Sequence, residues 1–158
     1  QSRSRQTRTA TAADRHPLTR LASEMTSRSS LFGNSADDAQ FTVGVDGWNT
    51  PLAIFVTVAN AFWTRLCGLQ FRLPLRRGHG LLLYPAGSIH TFWMRGPIDV
   101  LWLDRNATVL RNSHAVPPWR MRKAPPETFA VLELGAGTTA DVEIGATLYR
   151  RDDRNKMQ

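Results

Sequence analysis

Apolar and polar residues alternate along much of this chain in short runs that read as extended segments. Phe41-Thr42-Val43-Gly44-Val45 has period two and is followed by the turn pair Asp46-Gly47. Leu52 to Ala59 is rich in β-branched and aromatic residues and predicts a strand. Leu81 to Tyr84 predicts a short buried strand, and Ile89 to Met94 another, ended by Gly96-Pro97. Ile98–Leu103 and Thr108–Asn112 predict a hairpin joined by Asp104-Arg105-Asn106-Ala107, with Asn106 suited to a left-handed turn position. Phe129 to Leu134 and Ala146 to Tyr149 complete the set. Helical spacing is scarce. Asn60 can cap a short helix through Leu66 or Leu69, and a helical turn can follow Thr138 or Thr139.

The pattern predicts a mainly β fold, a compact antiparallel β-barrel or sandwich with one or two short helices. Helices long enough for repeated parallel crossovers are missing, which argues against a doubly wound sheet. Three segments are expected: a disordered basic tail over residues 1–39, a β domain over 40–150, and a flexible charged tail over 151–158. The first has few large apolar residues and cannot bury enough surface to offset its ordering entropy.

Charge sharpens that division. The chain has a net charge of +7, and residues 1–30 hold six Arg against Asp14 and Glu24. Such a balance favours polyanions non-specifically and says nothing about fold. Cys67 is the only cysteine, so no internal disulfide forms. No apolar run reaches the length of a spanning helix. The sequence begins at Gln1; its Arg/Ser/Thr-rich opening loosely resembles an organellar transit peptide, and a disordered tail is the preferred reading. The compartment is left open, with cytoplasmic as the default, and a monomer is expected.

The run from His90 to Asp104 carries the chemistry. It is apolar almost throughout, yet holds His90, Arg95 and Asp99. Both faces of Ile98–Leu103 are apolar, so Asp99 is expected to be at least partly buried and to need a partner: Arg95, Arg65, a hydroxyl or loop N–H groups. Glu133 sits in a similar apolar strand and poses the same requirement, with Arg65 or Arg95 as candidates. His90 and His114 invite a metal reading with Asp99 or Glu133, but no close-spaced ligand motif supports it, and no cofactor is implied. Cys67 reads as a small buried residue. Ser88 forms no triad pattern with the histidines. Gly78-His79-Gly80 lacks the strand–loop–helix context of a phosphate loop. Trp119 with Arg120, Arg122 and Lys123 is an aromatic and basic cluster, a composition found in nucleic-acid contacts and also in solvated loops.

From about Leu52 to Tyr149 the chain resembles the DUF192 family, whose function is unassigned. The similarity runs in order through Arg65 with Cys67-Gly68-Leu69-Gln70-Phe71-Arg72, Gly80-Leu81-Leu82-Leu83, Ser88 to Val100, and Val131-Leu132-Glu133-Leu134-Gly135-Ala136-Gly137. The resemblance implies a compact, largely β domain and supplies no reaction. Gln70, Gly96 and Gly145-Ala146 depart from its usual pattern.

The leading expectation is a non-catalytic binding or accessory module, with a polar site formed by Arg65, His90, Trp93, Arg95, Asp99 and Glu133. Its expected partner is a small anionic ligand or another protein. The second is a hydrolase-type enzyme using Asp99 or Glu133 with His90 or His114, which requires those side chains to meet in one cleft. Nucleic-acid binding through the basic tail and the Trp119 loop ranks third.

Overall fold

The computed structural model describes residues 28–32, 40–59 and 75–151. Among these, ten strands occur: β1 (Arg28–Ser29), β2 (Phe41–Val45), β3 (Ala53–Val58), β4 (His79–Leu83), β5 (Ile89–His90), β6 (Ile98–Leu103), β7 (Val109–Val116), β8 (Met121–Arg122), β9 (Ala130–Gly135) and β10 (Leu148–Arg151). Eight form one sheet in the order β1-β10-β2-β3-β4-β9-β6-β7, and β5 pairs with β8 in a separate two-stranded ribbon. The mainly β expectation holds.

The sheet is mixed rather than wholly antiparallel, because β3 and β4 run parallel. Residues 59–78 separate them, long enough for the crossover that a parallel pair demands. Nor is the sheet a closed barrel. The edge strand β7 approaches β10, the neighbour of the other edge strand β1, through an isolated bridge between Thr108 and Thr147, with Val109 N–H donating to the Ala146 carbonyl at 2.9 Å. The bridge does not extend into a paired strand. No helix occurs among the described residues: 136–141 form turns, and the helix expected from Asn60 lies outside them.

Alternation along β6 explains why the sheet is covered on both sides. Leu101 and Leu103 join a first core with Val43, Val56, Leu132 and Leu134. Ile98, Val100 and Trp102 face a second core with Leu81 and Val131, roofed by Ile89 and Met94. Trp102 is fully buried, and its indole N–H donates to Ser113 Oγ at 3.3 Å. Removing that ring would cost about 3–5 kcal/mol.

Three local expectations need correction. In the hairpin turn the left-handed residue is Ala107 (φ 61°), not Asn106. Ala107 is buried in the first core, where an asparagine amide would lack water, and Asp104 Oδ1 closes the turn by accepting from Asn106 and Thr108 N–H, both at 2.8 Å. The strand expected over Ile89–Met94 stops at His90, because the chain turns at Phe92-Trp93. Finally, Arg28–Ser29 pairs with β10, Leu31 is buried in the first core, and Phe32 packs against the rings of Tyr84 and Phe129. Packing with the domain thus reaches upstream of Gln40.

Candidate functional site

Asp99 lies opposite an irregularity in β7. Ile98 pairs with Val116 and Val100 with Ser113, so His114 and Ala115 together oppose Asp99. This is the geometry of a β-bulge, which bends a strand and frees a backbone group from the ladder. Ala115 takes the left-handed conformation (φ 46°) and donates its N–H to Asp99 Oδ1 at 2.9 Å. Oδ2 accepts from the Thr139 N–H at 3.0 Å and faces the Thr139 hydroxyl at 3.1 Å. Asp99 and Thr139 are both fully buried. The partners are therefore a hydroxyl and two backbone N–H groups, one from the β7 bulge and one from the 136–141 turns; no ion pair to Arg95 forms.

The network extends to Asn112 and His114. Asn112 Nδ2 donates to the carbonyls of Thr139 (2.8 Å) and Val142 (2.9 Å), which fixes the amide and turns Oδ1 toward Thr139 Oγ1 at 2.8 Å. The Thr139 hydroxyl has one proton and faces two acceptors, Asp99 and Asn112. His114 Nδ1 lies 3.2 Å from the same hydroxyl oxygen. Burial alone would push the Asp99 carboxyl up. The Ala115 and Thr139 N–H groups, the Thr139 hydroxyl and nearby His114 outweigh it and hold the carboxyl below its ordinary range.

Glu133 faces the other way. Its backbone pairs with Val100, whereas Asp99 pairs with Leu134, so the two carboxylates point to opposite faces of the sheet. Glu133 lies on the side of the second core and is buried. Desolvation raises its pKa to about 7. Among the described residues, no hydrogen-bond donor or cation reaches it. Arg95 is exposed on the strap described below, and Arg65 lies outside the described residues.

The remaining expected residues meet on a strap over the second core. β5 and β8 pair His90 with Met121 and Ile89 with Arg122. Buried Thr91 ties the two halves together. Its N–H donates to the Arg120 carbonyl (2.8 Å), its carbonyl accepts from Trp119 N–H (3.0 Å), and its hydroxyl donates to the Pro117 carbonyl (2.8 Å) while accepting from Arg120 N–H (2.9 Å). Alternation then sets the outward face of the strap. His90 stacks on Phe92 at 5.3 Å, Phe92 lies 6.0 Å from Trp119, and Trp93 meets Trp119 edge to face at 4.6 Å. Trp93 and Trp119 are each 52% exposed and Met121 is 69% exposed. Both tryptophans hold left-handed backbone, with φ of 64° and 63°.

Of the six expected site residues, Arg65 lies outside the described ones, and the other five are not one constellation. His90, Trp93 and Arg95 are on the strap, Asp99 is under the β7 bulge, and Glu133 is on the opposite face of the sheet. Sequence reasoning missed Thr139, Asn112 and Thr91. Thr91 gives a faint signal as a lone hydroxyl in an apolar run; Thr139 and Asn112 give none, because their roles depend on long-range contacts. Gly78, singled out in the glycine-bearing loop, uses its carbonyl to accept from Ile54 (2.9 Å) and Phe55 (3.0 Å), and His79 stacks on Phe55. No group of three potential metal ligands occurs among the described residues. No helix there is long and apolar enough to cross a membrane.

The family model for DUF192, described as an uncharacterised ACR, matches residues 45–148. The chain belongs to the DUF192 family. No curated protein matches it. Two solved structures share the DUF192 chain's fold. One is a protein of unknown function from Novosphingobium aromaticivorans, with a TM-score of 0.60 and 22% identity, covering 68% of this chain and 82% of that one. The other, from Sinorhizobium meliloti and provisionally described as a transcription regulator, has a TM-score of 0.64 and 22% identity, covering 74% of this chain and 98% of that one. At such identity the likeness concerns the fold alone.

Proposed function

We propose that this DUF192 domain is a non-catalytic binding module whose contact surface is the strap formed by residues 89–95 and 117–123. One observation carries the reading: Trp93 and Trp119 touch edge to face while each stays half exposed on left-handed backbone. A bulky residue in that conformation costs about 1–2 kcal/mol. Strained backbone presenting large apolar groups to water is characteristic of contact surfaces. Arg95, Arg120, Arg122 and Lys123 are exposed on the same two segments, so the partner is anionic.

A hydrolase is the weaker reading. Asp99 and Glu133 point to opposite faces, and the Thr139 hydroxyl that links Asp99 to His114 is fully buried. The Asp99 network serves better as a brace that holds the β7 bulge.

The test titrates the full chain, at low salt, with four anionic probes: polyphosphate, polyglutamate, a single-stranded oligonucleotide and anionic phospholipid vesicles. At least one is expected to bind, with binding lost in Trp93→Gly and Trp119→Gly variants of unchanged melting temperature. Failure of all four, or equal binding by the glycine variants, contradicts the reading.

A further inference from the structure

The geometry points to a single-stranded nucleic acid as the occupant of the strap, an inference that rests on the strap being the contact surface. His90, Phe92, Trp119 and Trp93 form a continuous row of rings, with successive centroids 5.3, 6.0 and 4.6 Å apart. The row crosses from one half of the strap to the other. It is held by the bonds through Thr91 rather than by one loop, so the rings are ordered before anything binds. Unpaired bases have bare π faces and stack on exposed rings whatever their sequence; bases within a duplex are already stacked and paired.

The charge around the row suits a phosphate backbone. Residues 89–98 and 111–126 contain Arg95, Arg111, Arg120, Arg122 and Lys123, and no Asp or Glu. All five cations are exposed. Arg120 gives one guanidinium N–H to the Trp119 carbonyl (3.1 Å) and Arg111 one to the Lys123 carbonyl (3.3 Å). Those bonds hold the two guanidinium groups beside the strap. A guanidinium has five donors, so each keeps others for phosphate oxygens.

An acidic peptide would match the charge but not the row of rings. A lipid surface would favour long aliphatic side chains, and Met121 is the one such side chain prominent here. The sequence ranked nucleic acid third because Trp119 stood alone in it; the structure joins Trp119 to Phe92 and Trp93, and through Phe92 to His90.

Binding of a labelled oligothymidylate of about 12 nucleotides to the full chain, followed by fluorescence anisotropy, tests the inference. A duplex of equal length, polyphosphate and anionic vesicles serve as comparators. The single strand is expected to bind more tightly than the duplex and polyphosphate. Trp93→Ala and Trp119→Ala should each weaken it roughly 10-fold, with Trp119→Phe retaining most of the affinity. Arg120→Gln or Arg122→Gln should reduce the slope of log affinity against log salt by about 1 each. Circular dichroism and melting temperature establish that each variant is folded. Equal binding of single strand and duplex, with no effect of ring removal in folded variants, would leave only diffuse electrostatic attraction and overturns the inference. Ring-dependent binding of vesicles or polyphosphate without the oligonucleotide overturns it too, while leaving the strap as contact surface. If no probe binds, both readings fail.

Discussion

The Trp93 and Trp119 indoles meet edge to face with centroids 4.6 Å apart, although the two residues belong to different segments and each remains half exposed. An aromatic pair of this kind adds about 0.5–1.5 kcal/mol beyond area burial. Holding two bulky residues on left-handed backbone offsets that gain. The pair therefore contributes little to stability, and its arrangement makes sense as a surface for a partner.

Replacing Trp93 by glycine removes the ring and relieves the φ of 64°. The two effects oppose each other, so stability measured by urea unfolding should change by no more than about 1 kcal/mol. A loss of several kcal/mol would show that the indole is a structural element.

Thr91 holds the strap together. Thr91→Val keeps the shape but strips the hydroxyl that accepts from Arg120 N–H and donates to the Pro117 carbonyl. The expected cost is about 1–3 kcal/mol. Hydrogen exchange should speed up at Trp119 and Arg120 while the β6–β9 amides keep their protection. Uniform acceleration across the sheet would mean that the strap and sheet open as one unit.

The two buried carboxylates should respond to pH with opposite signs. Glu133 has its folded pKa raised to about 7, above the ordinary 4.5. Between these values the unfolded chain releases a proton that the folded chain keeps, so stability falls as pH rises through that window and levels off above it. Glu133→Gln should abolish the slope and stabilise the protein at pH 8 by about 2–4 kcal/mol. Equal pH slopes in the variant and the parent would place the titration elsewhere.

Asp99 is held below its ordinary 3.8. Its stabilisation is present above that value and is lost as pH falls through the lower folded value. Asp99→Asn sets an amide N–H against the Ala115 or Thr139 N–H and should destabilise by about 2–4 kcal/mol at neutral pH. Urea unfolding of both carboxylate variants at pH 8 gives a direct contrast: one should gain stability and the other lose it.

Much of this was legible from local pattern. Apolar residues on both faces of Ile98–Leu103 indicated a central, doubly covered strand, and the burial of Asp99 followed. The separation of Asp99 from Glu133 did not follow, because it depends on the register that sets Asp99 against Leu134 and Val100 against Glu133. A strand's own alternation carries no information about its neighbour's register. Asp99's partners were equally hidden, since Thr139 lies 40 residues along the chain and Ala115 becomes a donor only through the bulge. Trp119 was readable as a loop or rim residue, whereas Trp93 read as core and proves half exposed; their meeting depends on Thr91, which bonds across the strap.

The most direct test of the strap as contact surface is the set of indole N–H signals in a nitrogen–proton correlation spectrum, recorded as each of the four anionic probes is added. The Trp93 and Trp119 signals, assigned through single Trp→Phe variants, should shift or broaden with at least one probe. The Trp102 signal, buried and bonded to Ser113, should stay in place. Movement of Trp102 alone, or stationary Trp93 and Trp119 signals under every probe, would contradict the account.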